Sequence, residues 1–143
     1  MARILIVDDE KNIRVQLQGL LADHGYRASV AEDAETALAR LPDEPPDLVL
    51  LDVNLPGMSG IDALEKIRAR GDDPPVVVMS GQATVDSAVK ATKLGAFDYL
   101  EKPLDPERLL VTVRNAIESA RLRHRNRELA GPRGMPAAAM ITP

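Results

Sequence analysis

Ile4-Leu5-Ile6-Val7-Asp8-Asp9-Glu10 passes directly from an aliphatic run into three carboxylates. Such a run, apolar at every position, reads as a strand buried on both faces, the signature of a parallel sheet covered by helices. The same pattern recurs. Leu48-Val49-Leu50-Leu51 ends on Asp52, Val76-Val77-Val78-Met79 ends on Ser80, and Tyr99-Leu100 leads through Glu101 into Lys102-Pro103. Each apolar run therefore delivers one polar group of a particular kind at its carboxyl end. Two acids, a hydroxyl and an amine gathered together suit a metal ion and a phosphoryl group.

Between the runs the periodicity is helical, which predicts alternating β and α elements. Residues 10–24 place Ile13, Leu17, Leu20, Leu21 and His24 on one stripe, with Gly25 as the stop. Residues 26–31 alternate and read as an edge strand; 34–41 read as a short helix closed by Pro42. Ser59 opens a helix with Ile61, Leu64 and Ile67 inward. Thr84 caps one whose stripe is Val85, Ala88, Val89 and Thr92, ended by Gly95. Asp105 caps a last helix with Pro106 at its first position, and Leu109, Leu110, Val113 and Ile117 face inward. Five strands and five helices in about 120 residues, joined by right-handed crossovers, make an α/β fold: a doubly wound parallel sheet with helices on both faces. Ligands of such sheets bind beyond the carboxyl ends of the strands, where the winding reverses. The flavodoxin-like strand order 2-1-3-4-5 is attractive because it makes Asp8, Asp9 and Asp52 neighbours; the site chemistry, not the periodicity, favours it.

Composition narrows the chemistry. The 143 residues contain no Cys and no Trp, one Phe and two Tyr. The core must be aliphatic, and disulfides, thiolate metal sites and thiol catalysis are excluded. No apolar run approaches the length of a membrane span, and the start shows no leader-like pattern, so a cytoplasmic location is expected. Residues 119–143 hold five Arg and one Glu, while residues 1–118 hold 13 Lys plus Arg against 21 Asp plus Glu. An acidic body argues against direct nucleic-acid binding. The run Arg121–Arg127 reads as the solvated face of a helix. From Gly131 onward, Pro, Gly and Ala dominate, as in a flexible tail. The resulting division is a domain over 1–120, a helical extension over 121–130 and a tail over 131–143.

The motifs Val7-Asp8-Asp9-Glu10, Leu51-Asp52-Val53-Asn54-Leu55-Pro56-Gly57-Met58-Ser59-Gly60, Met79-Ser80-Gly81-Gln82 and Gly95-Ala96-Phe97-Asp98-Tyr99-Leu100-Glu101-Lys102-Pro103 together resemble those of response-regulator receiver domains of two-component signalling. The similarity is greatest to receivers of NtrC-type transcription activators and covers residues 1 to about 120. It implies that Asp52 accepts a phosphoryl group from a phosphohistidine of a sensor histidine kinase. It further implies that Asp8, Asp9, Asp52 and the backbone carbonyl of Asn54 hold Mg²⁺, that Lys102 and Ser80 bind the phosphoryl oxygens, and that Lys102-Pro103 is cis. Ser80 and Tyr99 would form the switch, Tyr99 rotating inward as Ser80 moves. The output face would be the fourth helix, the fifth strand and the fifth helix, also a candidate homodimer surface, as is the helical extension. An output domain in a longer chain would complete the protein. Such a receiver is not a conventional enzyme, although it assists its own phosphorylation and dephosphorylation.

Alternatives are a stand-alone regulator and a receiver that docks without phosphorylation. A Mg²⁺-dependent phosphatase with an aspartyl-phosphate intermediate is a further rival. Such enzymes need Asp-x-Asp, whereas this chain has Asp52-Val53-Asn54, and an amide cannot serve as their acid/base.

Overall fold

A computed structural model describes residues 2–71, 74–82 and 84–130, with side chains to residue 123. Five strands, β1 (Arg3–Val7), β2 (Arg27–Ala31), β3 (Leu48–Asp52), β4 (Val76–Ser80) and β5 (Asp98–Glu101), form one parallel sheet in the order β2-β1-β3-β4-β5. The helices are α1 (Lys11–Asp23), α2 (Ala34–Arg40), α3 (Gly60–Ala69), α4 (Val85–Lys93) and α5 (Pro106–Ala130). This is the doubly wound sheet expected, in the order the site chemistry favoured. The winding reverses between β1 and β3.

Alternation along each strand divides the core in two. Leu5, Val7, Val49, Leu51, Val76 and Val78 face α2 and α3. Ile4, Ile6, Leu48, Leu50, Val77 and Met79 face α1 and α5, where Leu17, Leu21, Leu109, Val113 and Ile117 meet them. Every residue of β3 and β4 is buried, which explains their unbroken aliphatic runs.

The caps are those the sequence indicates. Ser59 Oγ accepts from the Asp62 N–H at 3.1 Å, Thr84 Oγ1 from Ser87 at 3.0 Å, and Asp105 Oδ1 from Glu107 at 3.3 Å. Gly25 and Gly95, at φ 87° and 92°, end α1 and α4 in the left-handed region, and the Tyr26 and Ala96 N–H groups close back on Leu21 and Ala91.

Two stripes differ from expectation. In α1, Leu17 and Leu21 are buried but His24 is the exposed C-cap, its Nδ1 3.0 Å from the Leu20 carbonyl. In α4, Val85 is 79% and Val89 46% exposed, Thr92 is exposed, and the fully buried residue is Ala91. A nine-residue helix offers more than one apolar face. The small Ala91 lets the helix approach closely, leaving the valines outside.

The β2 edge is also specific. The Arg27 N–H and the Ala31 carbonyl bond towards β1, so the intervening Ala28 and Val30 direct their backbone groups outward. Gln18 Nε2 donates to the Ala28 carbonyl at 2.9 Å, and Arg40 Nη1 donates to that of Val30. Among the described residues no helix is long and apolar enough to cross a membrane. The expected tail, 131–143, lies outside the described residues.

Candidate phosphoacceptor and metal site

Asp8 and Asp9 follow β1, Asp52 ends β3, Ser80 ends β4, and Lys102 follows β5. The sheet order brings carboxylate oxygens of Asp8, Asp9 and Asp52 within 4.8 Å of one another. Asp8 is fully buried, Asp52 is 3% exposed, and Asp9 is exposed. Burial of two acids demands compensation. Lys102 supplies it: Nζ lies 2.8 Å from Asp8 Oδ2 and 3.3 Å from Asp52 Oδ2, with Glu10 Oε1 at 3.8 Å. The other oxygens meet backbone donors. Asp8 Oδ1 accepts from Glu10 N–H at 2.9 Å, and Asp52 Oδ1 from Asn54 N–H at 3.2 Å. The Lys102-Pro103 bond is cis.

The charges are only partly balanced. Burial, and then the negative charge of Asp8, push the Asp52 carboxyl above the usual aspartate range, against the pull of Lys102 and the Asn54 N–H. Burial alone would lower the Lys102 ammonium, but its hydrogen bond to Asp8 and the charge of Asp52 outweigh that and hold it above the usual lysine range. Three carboxylates against one ammonium leave excess negative charge among hard oxygen donors. That donor set fits a small divalent cation such as Mg²⁺.

Ser80 is buried, and its Oγ accepts from the Gln82 N–H at 3.0 Å. Tyr99 is half-buried against the core on the α2 and α3 side, and its hydroxyl oxygen is buried with no hydrogen-bond partner among the described residues. The hydroxyl is enclosed in this conformation. A buried hydroxyl with no partner costs roughly 1 kcal/mol or more. Tyr99→Phe should therefore raise the urea midpoint, by about 1 kcal/mol of stability. A less stable Phe variant would mean that the hydroxyl bonds a partner in solution.

Two residues with roles here escaped the sequence reading. Gly60 opens α3 so close to the acceptor strand that a β-carbon would lie 2.8 Å from the Asp52 carbonyl carbon and 2.8 Å from Val53 Cα. Its N–H donates to the Val53 carbonyl at 2.8 Å. Gly60 had entered only as part of a motif. Arg14, in α1, donates from Nη1 to the Asp8 carbonyl at 2.8 Å. One signal was available for Arg14: helical side chains lean towards the N-terminus, so a long one in the first turn reaches back to the preceding loop.

Comparison with known proteins agrees with this geometry. The family model for the response regulator receiver domain matches residues 4–114. The nitrogen assimilation regulatory protein NtrX of Azorhizobium caulinodans is 43% identical over 128 residues, 88% of this chain and 28% of that protein. The DNA-binding transcriptional regulator NtrC of Salmonella typhimurium is 37% identical over 131 residues, 90% of this chain and 28% of that protein. The crystal structure of a CheY-like response regulator receiver domain from Methanospirillum hungatei superposes with a TM-score of 0.82 at 30% identity, covering 86% of this chain and 98% of that one. The chain thus spans little more than a quarter of the curated relatives it matches. A carboxylate cluster at the β1/β3 switch point, the sheet order and the span of the family match lead to one conclusion: this chain, similar to the receivers of NtrC-type regulators, belongs to the response-regulator receiver family.

Proposed function

We propose that the domain is a phosphoacceptor in which Asp52 takes a phosphoryl group from a sensor-kinase phosphohistidine. The observation that carries this reading is Asp52, buried at the end of β3, with Lys102 Nζ at 3.3 Å and two further carboxylates beside it. A carboxylate is a weak nucleophile towards an anionic phosphoryl group until charge is neutralised. Mg²⁺ held by Asp8, Asp9, Asp52 and the backbone carbonyl of Asn54 would supply that neutralisation.

The chain's own residues do the rest. An Asp52 carboxylate oxygen forms a bond to phosphorus as the phosphorus–nitrogen bond breaks. The electron pair stays on the imidazole nitrogen, which takes up a proton. Lys102, already in the cluster, turns its charge to the phosphoryl oxygens, and Ser80 donates its hydroxyl to them. Catalysis is positioning plus electrostatics, so the domain assists its own modification without being a conventional enzyme.

The signal then passes to the surface of α4, β5 and α5. Full switching, from 1:99 to 99:1, requires about 5.5 kcal/mol of preference for the active state. Exposed Val85 and Val89 on α4 and Val111 on α5 make these helices candidates for a homodimer face. We take residues 1–120 as the receiver and the remainder of α5, which continues to Ala130, as a connector to an output domain for transcription activation.

The test is intact mass after incubation with acetyl phosphate, with Mg²⁺ or with EDTA. One hydroxylamine-labile phosphate formed only with Mg²⁺ is expected. A folded sample that gains none would favour a receiver that docks without phosphorylation.

A further inference from the structure

We propose that Arg14 is a positioning residue for the metal site, fixing the peptide between Asp8 and Asp9 so that Asp9 is aimed at the cluster. The inference rests on the reading of Asp8, Asp9 and Asp52 as a Mg²⁺ site. Arg14 stands one turn into α1, its N–H donating to the Glu10 carbonyl at 3.1 Å. Its side chain is only 15% exposed, with Nη1 2.8 Å from the Asp8 carbonyl oxygen and Nη2 3.9 Å from Glu32 Oε2.

The remaining polar groups of Asp8 are engaged elsewhere: its N–H with the Ala31 carbonyl, Oδ1 with the Glu10 N–H, and Oδ2 with Lys102. Arg14 therefore takes the main-chain carbonyl. That oxygen belongs to the Asp8–Asp9 peptide plane. Holding it sets the rotation of the plane and with it the direction in which Asp9 leaves the chain. Among the described residues, no side-chain hydrogen bond holds the Asp9 carboxylate itself. Its direction depends on the backbone, and the backbone depends on Arg14. Groups that orient metal ligands in this way typically contribute about 10-fold or more to metal affinity.

Charge and positioning make opposite predictions here, which renders the idea testable. A guanidinium near three carboxylates repels an incoming cation, so charge alone says that Arg14→Gln should bind Mg²⁺ more tightly. Positioning says that it should bind more weakly. The experiment is Mg²⁺ titration of the full chain by calorimetry and by amide NMR of the Asp8–Glu10 loop, for wild type, Arg14→Gln and Arg14→Lys. Urea unfolding in EDTA runs in parallel.

The glutamine variant is expected to weaken Mg²⁺ binding about 10-fold. The lysine variant retains charge but offers a point donor instead of a fork, and should fall between. It also keeps the test open if the glutamine variant does not fold. Unchanged or tighter binding in the variants, including a loss of stability with the Mg²⁺ affinity intact, would overturn the role of Arg14. A folded wild type that binds no Mg²⁺ would instead overturn the site reading itself.

Discussion

Asp52→Asn is expected to abolish phosphate incorporation completely and, in Mg²⁺-free buffer at neutral pH, to make the domain more stable. The first effect follows from loss of the nucleophile: an amide oxygen cannot form the acyl phosphate. The second follows from the site's electrostatics. Burial and Asp8 raise the Asp52 carboxyl in the folded state, so the native protein binds that proton more tightly than the unfolded chain does. The corresponding stability is fully present below the unfolded value, about 3.9, and is lost as pH rises through the folded value. At pH 7 ionised Asp52 is thus a net cost, and asparagine removes it while still able to accept the Asn54 N–H. A gain of about 1 kcal/mol would raise the melting temperature by roughly 4 °C. The difference between variant and wild type should shrink as the pH is lowered, and adding Mg²⁺ should stabilise the wild type selectively. Melting curves at several pH values, with and without Mg²⁺, would check this. An asparagine variant that melts at or below the wild-type temperature at pH 7 would contradict it.

Gly60→Ala is expected to be the most damaging alanine substitution among the described glycines. The added carbon would be driven into the Asp52–Val53 peptide, with backbone rather than a flexible side chain on the other side. Either α3 retreats, losing the Gly60-to-Val53 hydrogen bond and the packing of Ile61 and Leu64, or the acceptor strand shifts. Overpacking of this kind costs about 1–3 kcal/mol. A displacement of Asp52 by 1 Å would slow phosphorylation about 100-fold. Gly19→Ala is the matched control. It lies in the interior of α1 with nothing within 4 Å of its would-be β-carbon, and alanine there should stabilise by about 0.5–1 kcal/mol. Urea unfolding and the rate of phosphate incorporation, measured on both variants, separate the outcomes. A Gly60→Ala protein matching wild type in both would disprove the close-contact argument.

The legible parts of the fold were those written in local pattern. Unbroken aliphatic runs announced β1, β3 and β4 because burial on both faces leaves no room for polar alternation. The caps Ser59, Thr84 and Asp105 and the stops Gly25 and Gly95 were readable because each answers a need within its own helix end. Asp8, Asp9, Asp52, Ser80 and Lys102 were conspicuous as polar groups terminating apolar runs, and Tyr99 and Asn54 came through the family resemblance. What local pattern cannot express is the distance between elements. The outward turn of Val85 and Val89 depends on how closely α4 meets the sheet. The requirement for glycine at 60 depends on α3 starting against β3, and the reach of Arg14 depends on where β1 ends relative to α1.

The Gln18 and Arg40 contacts along β2 carry a consequence for how copies of this chain can meet. A neighbouring strand joining the sheet there would have to displace both side chains before it could pair with Ala28 and Val30. At the opposite border, β5 offers only four residues. Growth of the sheet from molecule to molecule is therefore obstructed at one border and has little template at the other. Association of copies would then fall to the helices, where contact is made side chain by side chain. Self-assembly through such surfaces can be reversed and retuned by single substitutions, and a domain of this kind can be concentrated or tethered next to its copies without polymerising through its backbone.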